Sequence, residues 1–476
     1  MIERRDFYID GAWVAPSQPN DFDVVDPSTE EVCATISLGS QADTDAAVAA
    51  ARAAFAEWAF TSKEEKLKLL ERLDEVYKDR REDMAQAMSI EMGAPIDMSR
   101  SSQWGAGSWH LAGFIEAFRE FEFERDYRGT DRTVLEPIGV CALITPWNWP
   151  MNQVVLKAIP AMATGCTMVL KPSEIAPLSS LLFAEFVDEA GFPKGVFNLV
   201  NGDGVGVGSQ LSSHPDVDMV SFTGSTRAGI AISKAAADTL KRVSLELGGK
   251  GANIIFADAD EKAVKRGVIH CMNNSGQSCN APTRMLVERS HYDEAVAEAK
   301  ATAEKVSVGP ASESGRHIGP VVSELQFNKI QGLIETGIKE GATLLAGGLG
   351  RPEGLNRGYF VRPTVFADVT PDMTIYNEEI FGPVLSIMPF DTVDEAIEIT
   401  NDTVYGLTNY IQTTDNDKLK HVARRVRSGM VETNGKGRAQ GSPFGGYKQS
   451  GNGREGGVWG LEEFLEVKAV SGWPGE

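Results

Sequence analysis

From residue 133 onward the chain alternates short apolar runs with segments of helix length. GVCALITP (139–146), TMVLKP (167–172), GVFNLV (195–200) and DMVSFTG (218–224) are bounded by Gly, Pro or charge. Runs this short, rich in β-branched residues, suit strands buried on both faces. Parallel neighbours need long crossovers, and the intervening segments are long enough to be helices. The pattern therefore predicts βαβ units in a doubly wound sheet. The alternation returns over 252–430 with ANIIFA, TRMLVE, ATLLAG and VLSIMPF, which predicts a second α/β domain. A chain of 476 residues is too long for one core, and its length suggests about three domains.

The flanks read differently. The N-terminal part suits short strands and turns, with Asp10-Gly11 and Asp26-Pro27 as turn signals. A helix follows over 43–59, with Ala47, Val48, Ala51 and Phe55 on one face. The next begins at Ser62, where Glu65 completes a capping box, and carries the stripe Leu67, Leu70, Leu73 and Tyr77. Gly93 is predicted to end the helical region. FLEVKAVSG (464–472) reads as a strand with no strand near it in sequence.

Acidic residues outnumber basic ones 67 to 46, for a net charge of −21. That excludes a phosphate-binding surface of the nucleic-acid kind and disfavours anionic membranes. The five cysteines include no CxxC pair, so neither a disulfide framework nor a zinc site is indicated. The six histidines form no HExxH, and no metal is expected. MIERRDFYIDGAW has no apolar core of a secretory signal, and no apolar run approaches the ~18 residues of a membrane span. A cytoplasmic protein is expected.

Two runs carry chemistry. GQSCNAPTR (276–284) holds Cys279 and LELGGK (245–250) holds Glu246. A thiolate is a strong nucleophile, and a carboxylate can take a proton from water. Together they suit a reaction that makes a thioester and then hydrolyses it. A free cysteine is more often an inert small hydrophobe, so Cys279 alone decides nothing.

Other residues fit the same chemistry or plainer roles. Asn148 in TPWNWP (145–150) is an amide at a strand end, an oxyanion donor or a turn residue. Lys171 and Glu174 in LKPSE lie at a strand mouth, as ribose ligands or a surface ion pair. FTGSTRAG (222–229) puts Ser225 at a helix N-terminus, where it meets a phosphate or simply caps the helix. NEEIFGPV (377–384) offers Glu379 to a ribose and Phe381 to a ring. NGDGVGVG (201–208) does not fit GxGxxG and reads as a tight turn.

Taken in order, TPWNWP, LKPSE, FTGSTRAG, LELGGK, GQSCNAPTR, EEIFGPV, NDTVYGL and PFGGYKQSGNGRE (443–455) resemble the aldehyde dehydrogenase superfamily over nearly the whole chain. The resemblance implies Cys279 as nucleophile, Glu246 as general base, and Asn148 with the Cys279 N–H as oxyanion hole. It implies Lys171 and Glu174 on the adenosine ribose and Ser225 at the pyrophosphate. Glu379 and Phe381 would hold the nicotinamide end, with Trp147 lining the cofactor cleft. Trp149, Gln153 and Asn280 would face the substrate tunnel. The implied domains are a Rossmann-like cofactor domain (1–118 and 138–247), a catalytic domain (248–447) and a β oligomerisation arm (119–137 and 464–476). A homodimer or homotetramer is implied.

NAD is expected over NADP, because Glu174 would repel a 2′-phosphate; Lys171 leaves room for some NADP use. Lys436 and Arg438 depart from the family pattern in the loop near the substrate entrance. They suggest an aldehyde that carries a carboxylate. Two rivals stand beside an NAD(P)-dependent, non-acylating aldehyde dehydrogenase: a CoA-acylating relative, which has no need of Glu246, and a non-catalytic protein of the same fold.

Overall fold

The computed structural model describes residues 1–474. Its centre is two seven-stranded sheets, with two three-stranded sheets at the periphery.

The first large sheet runs in the order Arg242–Glu246, Met219–Thr223, Val140–Ile144, Thr167–Lys171, Phe197–Leu199, Phe7–Ile9, Ala12–Val14. The first five strands are parallel, and the last two add antiparallel pairs from the N-terminus. Met219–Thr223, Val140–Ile144 and Thr167–Lys171 are buried at every residue. That is why they read as continuous apolar runs. From Val140–Ile144 the chain winds outward through Thr167–Lys171 and Phe197–Leu199, then returns to lay Met219–Thr223 on the other side. The order reverses between Val140–Ile144 and Met219–Thr223. The C-terminal ends of strands at such a reversal form the crevice where α/β sheets bind ligands.

The second large sheet has the order Thr343–Ala346, Thr364–Ala367, Val384–Phe390, Arg284–Glu288, Ala252–Ile255, Thr408–Gln412, Met430–Thr433. Only Thr343–Ala346 is antiparallel. The chain leaves the first sheet at Glu246 and enters the second at Ala252. The start of this sheet thus lies beside the end of the first.

The helix Pro150–Thr164 packs on the strands Val140–Ile144 and Thr167–Lys171 of the first sheet and against the helix Trp104–Glu120. It is buried at all but one residue, with Pro150 opening it and left-handed Gly165 closing it. The capping box at Ser62 forms: the Ser62 hydroxyl accepts from the Glu65 N–H, and the Glu65 carboxylate accepts from the Ser62 N–H. Leu70, Leu73 and Tyr77 are fully buried on that helix.

Two local expectations are corrected. Gly93, at φ +81°, caps only Arg81–Met92. The chain stays helical through Ile96–Met98, a π-helical turn Ser99–Gln103 and Trp104–Glu120, because Pro95 opens a new helix at once. The run NGDGVGVG is helical at 204–208, not a tight turn. Asp203 accepts from the Gly206 N–H and stabilises its start.

The tail strand Leu465–Val470 pairs antiparallel with Arg132–Pro137, which also pairs with Glu124–Asp126. Leu465–Val470 is an outer strand of this sheet, and Val467 is 69% exposed. No helix among the described residues is long and apolar enough to cross a membrane. No cluster of metal-ligating side chains occurs among them either.

Candidate active site

The crevice at the strand reversal is a cleft of about 230 Å³ lined by Trp147, Asn148, Ser225, Cys279, Glu379 and Phe381, among others. Trp147 and Asn148 come from the turn after Val140–Ile144, and Ser225 from the turn after Met219–Thr223. Cys279, Glu379 and Phe381 come from loops that lead into strands of the second sheet. The cleft is therefore a seam between the two halves.

Cys279 is half-buried. Burial, reinforced by the charges of Glu379, Glu246 and Glu455, pushes its thiol up to about 12. At neutral pH it rests as a thiol. Asn148 is buried, and its Nδ2 donates to the Gln277 carbonyl at 3.0 Å. An amide nitrogen carries two protons, so one remains for a second acceptor.

Glu246 is buried, and neither carboxylate oxygen has a hydrogen-bond partner. Burial raises its pKa well above the usual range, and Glu455 and Glu463 add to this while Lys157 and Arg454 oppose it. Lys157 and Glu455 form a buried ion pair at 2.5 Å. A partnerless buried carboxyl beside such a pair holds its proton more tightly than an ordinary carboxylate does.

The other half of the cleft suits a dinucleotide. Thr223 lines it with a buried hydroxyl that has no partner. Beside it opens the helix Thr226–Ala236, whose first-turn N–H groups favour an anion. Ser225 Oγ accepts from the Ala228 N–H at 3.3 Å and caps this helix. Glu379 accepts from the Gly249 N–H at 2.8 Å, and burial raises its pKa. A Cβ on Gly248 would meet the Glu379 carboxylate at 2.5 Å, so only glycine lets that carboxylate sit there. Phe381, at φ +58°, meets Trp147 edge-on at 5.5 Å. Lys171 is buried at the mouth of its strand. Its Nζ donates to the Gly202 carbonyl at 2.6 Å and lies 3.4 Å from Glu174 Oε2. Anion-binding N–H groups, an orphan hydroxyl and a carboxylate–ammonium pair at a strand mouth fit a nicotinamide dinucleotide.

The sequence profile of the aldehyde dehydrogenase family matches residues 13–470. The chain belongs to the aldehyde dehydrogenase family. Its reaction class is aldehyde oxidation. It is 52% identical to the 3-succinoylsemialdehyde-pyridine dehydrogenase of a Pseudomonas species, over all of both chains. It superposes on the crystal structure of an aldehyde dehydrogenase from Bartonella henselae with a TM-score of 0.98. The identity there is 61%, over 99% of this chain and 100% of the other. A Cys-to-Ala variant of aldehyde dehydrogenase C from Pseudomonas syringae, in complex with NAD+ and octanal, is 50% identical. Its TM-score is 0.97, over 99% of this chain and 97% of the other.

In this aldehyde dehydrogenase, Cys279 also touches Leu407, Met430 and Phe444, which form an apolar wall. Trp149 Nε1 donates to Ser278 Oγ at 2.8 Å, and the Asn280 carbonyl accepts from the Tyr410 hydroxyl at 2.6 Å. Both bonds brace the residues flanking Cys279. Gln153 is buried in the helix Pro150–Thr164 with its Oε1 unpartnered. Arg438 lies over the Phe444 ring at 4.8 Å and pairs with Glu432 at 3.3 Å. The expected carboxylate clamp is therefore already engaged by a carboxylate of this chain. A larger cavity of about 600 Å³, between Arg266, His270, Tyr410 and Glu432, holds none of the reactive residues.

Sequence reasoning missed the Lys157–Glu455 pair. Lys157 is the one charge in the apolar run PMNQVVLKAIPAMAT, and Glu455 closes the motif PFGGYKQSGNGRE. A lone lysine in a buried helix demands a partner, but only the tertiary structure names it. Gln103, Asn274 and Gln277 also escaped notice.

Proposed function

We propose an NAD-dependent, non-acylating aldehyde dehydrogenase in which Cys279 is the nucleophile, Asn148 the oxyanion donor and Glu246 the general base. The observation that supports it most is that Cys279 and Asn148 line one cleft while the partnerless Glu246 carboxylate acts on the Cys279 thiol. The Cys279 thiol gives its proton to Glu246, which releases it to solvent, and the Cys279 sulfur bonds to the aldehyde carbon. The charge that forms on oxygen meets the free Asn148 N–H and the Cys279 N–H, donors of a kind worth ~3–4 kcal/mol each. The nicotinamide, when bound, supplies the hydride acceptor. Lys171, Glu174, Ser225, Glu379 and Phe381 would hold the cofactor. In the resulting thioester, Glu246 takes a proton from water as the water oxygen bonds to the acyl carbon. The carbon–sulfur bond breaks, the thiolate is restored and the acid leaves.

Glu246 argues against CoA acylation, where no water needs activating. NAD is supported by the NAD+ complex of the Pseudomonas syringae relative and by Glu174 beside the implied ribose. For the aldehyde we favour an uncharged one with an apolar or aromatic body. Arg438 pairs with Glu432, Phe444 forms an apolar wall, one similar structure is a complex with octanal, and one relative is named for a pyridine semialdehyde. We further read the protein as a cytoplasmic homo-oligomer. All five cysteines are free, and Leu465–Val470 offers an exposed sheet edge of the kind that pairs with another chain.

The test is NADH formation from octanal with and without CoA. The wild type is expected to be CoA-independent, and Cys279→Ser to lose turnover while still binding NAD. Near wild-type turnover in Cys279→Ser, or a requirement for CoA, refutes the assignment.

A further inference from the structure

Gln103 stands outside every role described so far. It is fully buried where the π-helical turn Ser99–Gln103 passes into Trp104–Glu120. Its Nε2 donates to the Asn148 carbonyl at 3.1 Å and to Asn274 Oδ1 at 3.3 Å. Its own Oε1 is buried without a partner. Asn274, also buried, donates Nδ2 to the same Asn148 carbonyl at 2.9 Å and to the Gln277 carbonyl at 3.3 Å. That Gln277 carbonyl is the acceptor for Asn148 Nδ2. Gln277 Nε2 returns to the Asn274 carbonyl at 3.1 Å, and its Oε1 accepts from the Val322 N–H at 2.9 Å.

These amides form a closed network around the oxyanion donor. Gln103 and Asn148 belong to the first half of the molecule, Asn274 and Gln277 to the second. The network spans the seam that the cleft occupies. It also braces a strained run. Asn274 and Ser275 are left-handed, at φ +52° and +56°, and Gly276 follows at φ +72°. A Cβ on Gly276 would lie 2.0 Å from the Gly382 carbonyl oxygen. Consecutive left-handed residues persist only where the surroundings over-determine them, and this run leads through Gln277 and Ser278 to the nucleophile Cys279.

Stability alone does not account for Gln103. A buried amide oxygen without a partner is costly, and an apolar residue of the same shape would avoid that cost. Only the nitrogen end can face two acceptors, so what is retained is the donor aimed at Asn148 and Asn274.

We propose that Gln103 and Asn274 are positioning residues for the reaction: their amides hold the Asn148 carbonyl, and through it fix the oxyanion donor in one geometry across the junction of the two sheets. The proposal rests on Asn148 as the oxyanion donor.

The test uses Gln103→Leu, which keeps the volume and removes the donors, and Asn274→Gly, which keeps the left-handed backbone and removes the amide. Each is expected to lower kcat and the rate of the NADH burst about ten- to a hundredfold, with KM for NAD and octanal within about threefold. The deciding arm repeats both changes in Asn148→Ala. With the donor gone, single-turnover rates should fall by less than about twofold further. Equal losses in both backgrounds, or lower thermal stability with unchanged kcat, overturn the proposal. Should Gln103→Leu not fold, Asn274→Gly carries the same comparison. An Asn148→Ala variant with full activity would instead refute the oxyanion assignment and the positioning role with it.

Discussion

Replacing Glu455 by Gln separates the electrostatics of the proposed base from its geometry. Glu455 is buried against Lys157 at 2.5 Å, and its charge is one of the forces that raise the pKa of Glu246. Gln keeps the shape and leaves a carbonyl to accept from Lys157. The negative charge disappears, while Lys157 and Arg454 still favour the ionised form of Glu246. At an effective dielectric of about 20, removing one neighbouring like charge is worth on the order of 1–2 kcal/mol, and about 1.4 kcal/mol corresponds to one pH unit. The sign follows from the role: a general base works only when deprotonated. Lowering its pKa therefore extends activity to lower pH. The acid limb of the pH profile for deacylation, read from the steady state after the NADH burst, should move down by about one unit. The burst itself reports the steps before hydrolysis and should move less. The same change leaves Lys157 buried without its counter-charge. Breaking such a pair costs ~3–5 kcal/mol, and the remaining hydrogen bond places this variant at the low end. An acid limb that stays in place or moves up in a folded Glu455→Gln protein would refute the electrostatic coupling and the assignment of Glu246 as the titrating base.

Two further outcomes are expected. Glu174→Gln should raise the ratio of kcat/KM for NADP over that for NAD about fivefold, because one charge-assisted hydrogen bond, worth ~1 kcal/mol over a neutral one, is lost and a like-charge repulsion goes with it; an unchanged ratio would remove Glu174 from the ribose site. Arg438→Ala should change kcat/KM for octanal and for a carboxylated aldehyde of equal length by a similar factor, since Arg438 is held by Glu432; a selective loss of about tenfold or more for the carboxylated aldehyde would restore the clamp.

What the sequence determined by itself is local. Strands such as Val140–Ile144 and Met219–Thr223 are buried on both faces, so they appear as apolar runs whatever they pack against. The Ser62–Glu65 capping box lies within one turn, and its signature is equally local. The order of eight motifs pointed to Cys279, Glu246 and Asn148 before any geometry. Gly93 shows where local reading fails. Its left-handed cap was legible, but Pro95 restarts the helix, and that depends on Trp104–Glu120 having a place to pack.

The tertiary structure decided everything that depends on distant pairs. Arg438 looked free in its loop, yet Glu432 neutralises it. Lys157 and Glu455 lie in separate motifs and meet only in the core. The strand Leu465–Val470 finds Arg132–Pro137, far away in sequence. Gln103, Asn148, Asn274 and Gln277 come from three separate stretches, and each alone is an unremarkable polar residue. Their meaning arises where the amides converge. A hydrogen bond fixes distance and direction between groups, and no one-dimensional pattern encodes either for residues this far apart.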